Sequence, residues 1–178
     1  IESFSFGNAM KNGIPVAIIG EPNVGKSTLL NSLLNEEKAI VSDIAGTTRD
    51  AIEDEIIIDG VAFRFIDTAG IRETNDIIES IGIKKAYEKA ENAQLIIFLI
   101  DSNKFSTSKY VFLSEIETIK KRFPNKRLLL IANKIDTLSI PQKQEIISQN
   151  DEILLLSAKQ KIGIDTLHKE LTSLVNKG

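Results

Sequence analysis

Residues Gly20 to Ser27 read G-E-P-N-V-G-K-S and satisfy G-x-x-x-x-G-K-[ST], a loop whose backbone N–H groups can cradle phosphate oxygens. An apolar run, Val16 to Ile19, precedes the loop, and S-T-L-L-N-S-L-L from Ser27 to Leu34 follows it as a helix-like stretch. The strand–loop–helix setting that phosphate binding requires is therefore present. Gly20 and Gly25 allow backbone conformations that a Cβ would forbid. A helix starting here directs its unpaired N–H groups and its positive dipole end at an anion. Lys26 is then placed to reach the terminal phosphates and the Ser27 hydroxyl to bind Mg²⁺, with Asn23, Val24, Gly25 and Thr28 completing the phosphate-binding turn. The pattern implies a nucleoside triphosphate and its hydrolysis.

Three further clusters fall in order downstream. Asp67-Thr68-Ala69-Gly70 closes an apolar stretch. A strand-end aspartate alone is commonly a turn former. After a phosphate loop, Asp67 is suited to hold Mg²⁺ directly or through water, and the Gly70 N–H to face the γ-phosphate. Asn133-Lys134-Ile135-Asp136 follows the apolar R-L-L-L-I-A-N. The Asp136 carboxylate can accept hydrogen bonds from guanine's N1–H and amino group; adenine lacks both donors, and a buried carboxylate would be left unpaired against it. Asn133 can brace the loop and meet the base's acceptor edge, while the Lys134 stem covers a base face. Ser157-Ala158-Lys159 is expected to offer backbone N–H groups to the guanine carbonyl oxygen.

Several elements must position these residues. Strands are predicted at about Pro15 to Gly20, Ala51 to Ile58, Val61 to Asp67, Leu95 to Asp101, Arg127 to Asn133 and Ile153 to Leu156. Asp59-Gly60 is a two-residue hairpin signal. Helices are predicted from Lys26 to Leu34, Ile77 to Asn92, Ser108 to Phe123, Gln142 to Gln149 (opened by Pro141) and Gly163 to Asn176, with Asn35 to Asp50 a loop. Strands alternating with helices predict an α/β fold: a six-stranded, mostly parallel sheet with one antiparallel edge strand and helices on both faces. Ligands of such sheets sit at the carboxyl ends of the strands, where all four clusters fall.

Composition narrows the rest. The chain has 178 residues, 42% hydrophobic and 26% charged, which suits one globular domain with a full core. A formal net charge of −3 gives no support for a broad nucleic-acid-binding face. Without cysteine there is no disulfide framework or thiolate chemistry. No apolar run approaches the ~20 residues that span a bilayer, and no signal peptide is visible, so a cytoplasmic setting is expected. Both ends look cut: Ile1 to Asn12 is expected to be a remnant of a connection to a neighbouring domain, with the nucleotide-binding domain at 13–178. His168, the single histidine, has no metal set in sequence and is expected to face solvent. Lys84, Lys85 and Lys89 read as a solvated face.

Together, G-E-P-N-V-G-K-S at 20–27, D-I-A-G-T-T-R-D at 43–50, D-T-A-G-I-R-E at 67–73 and E-S-I-G-I at 79–83 resemble the translation-factor-class GTPases of the TrmE-Era-EngA-like group. Within that group the spacing from D-T-A-G to Glu79 resembles the G domains of the tRNA-modification GTPases (MnmE, also called TrmE). The resemblance extends over nearly the whole chain from about Asn12, and implies a three-layer P-loop GTPase fold. It further implies that Ser42 to Asp50 is switch I, with Thr48 on Mg²⁺ in the triphosphate state. Many GTPases carry a water-orienting glutamine where this chain has Ile71; the resemblance assigns that work to Glu79. It also implies K⁺, bound by the Asn23 side-chain oxygen, the Ser42 and Ile44 carbonyls and Thr47, in place of an arginine finger. Arg49 and Arg72 are the rival fingers. The implied partners are a second copy meeting the first across the switch face and, for the parent protein, an MnmG/GidA-like flavoprotein and tRNA whose wobble uridine is modified. Ribosome assembly, as in Era- or Der-like relatives, and a slow non-enzymatic nucleotide switch are the alternatives.

Overall fold

The computed structural model describes residues 13–20, 24–41, 54–58, 60–66 and 87–176. Among the described residues there are six strands, β1 (Ile14–Gly20), β2 (Asp54–Ile58), β3 (Val61–Phe65), β4 (Leu95–Asp101), β5 (Arg127–Asn133) and β6 (Ile153–Leu155). They form one sheet in the order β2-β3-β1-β4-β5-β6. Every neighbouring pair is parallel except β2 with β3, the hairpin closed between Ile58 and Val61. The expected sheet, with its single antiparallel edge strand, is the one observed.

β4 is an unbroken apolar run because neither face of it meets water; all seven of its residues are buried. Its side chains alternate between two cores. Leu95, Ile97 and Leu99 point into a core with Val16, Ile18, Phe63 and Phe65, covered by Leu29, Leu30 and Leu33 of α1 (Lys26–Val41) and by Leu167 and Leu171 of α4 (Ile164–Asn176). Ile96, Phe98 and Ile100 point the other way, against Phe112, Ile116 and Ile119 of α2 (Phe105–Arg122) and Ile146 of α3 (Ile140–Gln149).

The helix boundaries depart from expectation in three places. α1 continues through residues 35–41, which were expected to be loop. The segment N-E-E-K-A-I-V shows no clear apolar period, yet Glu, Lys and Ala are strong helix formers, and intrinsic propensity carries the helix on. α2 starts at Phe105 rather than Ser108, because a separate first turn joins the main run across a kink at Ser108 (φ −125°, ψ 20°). α3 begins two residues before the expected Gln142: Ser139 caps it, its hydroxyl accepting from the Gln142 N–H at 3.3 Å while Gln142 Oε1 accepts from the Ser139 N–H at 2.8 Å. Most of the helix expected over Ile77 to Asn92 lies outside the described residues; 87–90 are helical, and Ala90 is buried.

Two surface expectations also change. His168 is half-buried rather than solvent-facing, and its Nε2 is buried without a hydrogen-bond partner. Lys89 is half-buried, and burial lowers the pKa of its ammonium group. At the edge of the sheet where β4 and β5 begin, the Lys126 ammonium donates to the carbonyls of Glu91 (2.9 Å) and Ala93 (2.5 Å), and burial lowers its pKa as well. Among the described residues no helix is long and apolar enough to cross a membrane.

Phe63 is fully buried and lies opposite Ile14 on β1 and Ile56 on β2, so it joins the hairpin to the sheet. Phe63→Ala is expected to lower unfolding stability by about 3–5 kcal/mol in urea titration. A loss below about 1 kcal/mol would show that the site collapses around the smaller side chain.

Candidate functional site

Because β1, β3, β4, β5 and β6 run parallel, the segments that follow them leave from one edge of the sheet. Asn133, the last residue of β5, is 2% exposed. Its Nδ2 donates to the Val24 carbonyl at 2.8 Å, and its Oδ1 accepts from the Ala158 N–H at 2.9 Å. One partner can only accept and the other only donate, so the amide has a single consistent orientation. One side chain thus joins the phosphate-loop motif to the segment after β6.

Gly25 is shaped by the same contact. Its φ is +99°, and a Cβ there would sit 2.2 Å from Asn133 Nδ2. Gly20 serves differently: it lies in β1 and is required by close approach, since a Cβ would come within 2.6 Å of the Leu99 carbonyl. Lys26 folds back so that its Nζ donates to the Gly20 carbonyl at 2.8 Å, linking the two ends of the loop. Ser27 stands half-buried in the first turn of α1, and Thr28 beside it is exposed. Ser32, two turns into the helix, is buried among leucines and donates to the Ala158 carbonyl at 3.0 Å.

The base-loop residues are held by a second set of bonds. Lys134 has a left-handed backbone (φ 69°, ψ 34°) and enters a 3₁₀ turn over Ile135–Thr137. Asp136 is exposed rather than buried, and its Oδ1 accepts from the Ser157 hydroxyl at 2.7 Å. Ser157 is fully buried; its Oγ also accepts from the Gln160 N–H, and its backbone pairs with Ile162 in both directions at 2.9 Å. The Ala158 N–H, expected to face guanine, is already donated to Asn133; Lys159 follows it, exposed.

The structure thus joins Val24, Asn133 and Ala158 by hydrogen bonds, and Asp136 to Ser157, with Gly25 against the Asn133 amide and Lys26 bonded back to Gly20. Asn23, Ser42, Ile44, Thr47, Thr48, Asp67, Thr68, Ala69, Gly70 and Glu79, with Arg49 and Arg72, lie outside the described residues. Sequence reasoning missed Ser32 and Asp101. A serine set in an otherwise leucine-lined helix face was the available signal for the first, and an acidic residue ending a buried strand for the second.

This sheet, with the G-E-P-N-V-G-K-S motif leaving the carboxyl end of β1, is that of a P-loop GTPase domain, a class that binds guanine nucleotides. The model of a family described as 50S ribosome-binding GTPase matches residues 15–134, and the chain belongs to that family. The tRNA modification GTPase MnmE of Flavobacterium johnsoniae is 62% identical over all of this chain, which covers 39% of that protein. The protein of the same description from Flavobacterium psychrophilum is 60% identical over all of this chain and 38% of its own length. The chain therefore spans about two fifths of the curated relatives it matches, and the likeness to their G domains runs along its whole length. Among solved structures, the FeoB G-domain from Methanococcus jannaschii is similar with a TM-score of 0.57 and 28% identity, over 92% of this chain and 98% of that one.

Asn133→Ala would leave the Val24 carbonyl and the Ala158 N–H buried without partners. We expect a stability loss of about 2–4 kcal/mol in urea unfolding, and a comparable loss for Gly25→Ala, whose methyl meets the same amide. Unchanged midpoints would mean that water replaces both bonds.

Proposed function

We propose that this domain hydrolyses GTP to GDP and phosphate with Mg²⁺ and K⁺, within a larger protein that modifies the wobble uridine of tRNA. The observation that supports the nucleotide assignment best is the Asn133 bridge, which sets the phosphate loop and the N-K-I-D loop at one fixed separation. What supports tRNA modification is 62% and 60% identity, over the full chain, to two tRNA modification GTPases. The description of the matched family, 50S ribosome-binding GTPase, favours a second reading, action at the ribosome.

Within the first reading, residues 13–178 are the G domain. Ser27, in the first turn of α1, would hold Mg²⁺ with Thr48 and Asp67, an all-oxygen set that suits a hard cation. Asn23, Ser42, Ile44 and Thr47 would hold K⁺ through oxygens. Both cations, when bound, would offset negative charge on the phosphate oxygens. Lys26 would leave the Gly20 carbonyl for the terminal phosphates, the Gly70 N–H would meet the γ-phosphate, and Glu79 would orient the attacking water. Thr68 and Ala69 would line the phosphate side. Asp136 and Lys134 would hold the guanine ring, with amides of the Ser157–Lys159 loop near its carbonyl oxygen. A second copy would close over the switch face during turnover; the parent protein would act with an MnmG/GidA-like flavoprotein on tRNA, in the cytoplasm.

Two measurements test this. GTP turnover in KCl is expected to exceed that in NaCl by roughly tenfold or more, and Asn23→Ala to abolish the difference. Equal rates in the two salts would remove K⁺ from the account. Asp136→Asn is expected to move preference from GTP to xanthosine triphosphate, whose carbonyl suits an amide donor; an unchanged preference would refute the base assignment.

A further inference from the structure

We propose that Asp101 and Asn103 are positioning residues for the base loop, setting guanine-nucleotide residence time by holding Lys134 in place before the base arrives. The inference rests on the guanine site proposed above. Asp101 ends β4 and is buried, its side chain only 10% exposed, and its Oδ2 lies 3.5 Å from the Lys134 ammonium. Its Oδ1 accepts from the Asn103 N–H at 2.9 Å and from Asn103 Nδ2 at 3.4 Å, which turns the Asn103 side chain toward the neighbouring loop. There Asn103 Nδ2 donates to the Lys134 carbonyl at 3.4 Å, and Asn103 Oδ1 accepts from the Thr137 hydroxyl at 2.6 Å. Thr137 Oγ1 also lies 3.3 Å from that same carbonyl.

Lys134 is therefore held at both ends, its carbonyl by Asn103 and its ammonium by Asp101. Both holds matter. A left-handed backbone at a residue with a Cβ persists only where its surroundings over-determine it. A lysine side chain also loses much rotamer freedom when ordered, so fixing it in advance removes that cost from binding. Asp101 touches neither the phosphate loop nor Asp136 in any of these contacts. Its influence on the nucleotide runs to Lys134 directly at the ammonium and, through Asn103, to the Lys134 carbonyl and Thr137.

The test is dissociation of a fluorescent N-methylanthraniloyl GDP from the 178-residue chain, followed by stopped flow. Asp101→Asn, which removes the charge and keeps the shape, is expected to speed dissociation about tenfold while association changes less than about twofold. In a Lys134→Met background, which removes the ion pair and leaves the Asn103 hold on the backbone carbonyl, the same substitution is expected to speed dissociation by about threefold or less. Asn103→Ala, which spares the buried carboxylate, should also speed dissociation and covers the case in which Asp101→Asn folds poorly. Wild-type dissociation in both variants would overturn the proposal. So would an Asp101→Asn effect of equal size with and without the Lys134 ammonium, since the ion pair would then contribute nothing to residence time. A wild-type chain that binds ADP as tightly as GDP would overturn the guanine site itself, a separate failure.

Discussion

The side-chain amide of Asn133 has one acceptor and one donor group, and in this fold both are spent on joining loops that are far apart in sequence. Val24 is 109 residues before it and Ala158 is 25 after it. A buried primary amide with either end unpaired costs about 1–3 kcal/mol, so the loops cannot separate without exposing that penalty. Two neighbours tighten the constraint. Gly25 has no Cβ and lets the amide approach its backbone, and the Ser32 hydroxyl donates to the carbonyl of Ala158, the residue whose N–H Asn133 accepts. The result is that the segments following β1, β5 and β6 are joined through one side chain.

The sheet supplies the platform for that side chain. β1 lies between β3 and β4, and the chain runs from β1 to the hairpin on one side before β4 and β5 are laid down on the other. This reversal leaves the crevice for a ligand beyond the end of β1, where the glycine-rich loop begins. Burial of β4 and β5 between two helical layers makes their carboxyl ends rigid, and Asp101 and Asn133 occupy those two ends in direct register. A site built on strand ends rather than on long loops inherits the precision of the hydrogen-bond ladder.

Most of the architecture was legible in the sequence, for reasons specific to particular segments. L-I-I-F-L-I-D and R-L-L-L-I-A-N are too short and too uniformly apolar to be anything but strands covered on both faces, and both are observed as such. The placement of G-E-P-N-V-G-K-S, N-K-I-D and S-A-K was legible because each begins at or just after the end of a strand. The continuation of α1 through 35–41 was not legible, since its signal was propensity without periodicity. The exposure of Asp136, the engagement of the Ala158 N–H by Asn133 and the Asp101–Lys134 pair were also hidden. The latter two are contacts across 25 and 33 residues, which no local pattern encodes.

The segments proposed to meet phosphate and base leave one sheet edge, and the Asn133 bridge that joins them is the claim on which this account rests. Amide hydrogen exchange at Ala158 in the nucleotide-free protein tests it most directly. Protection comparable to that of the β5 core amides is the result this account predicts, because the Ala158 N–H would open only when the bridge and its strand open together. Exchange at the rate of an unstructured loop would contradict it, and would show the two halves of the site moving independently until nucleotide brings them together.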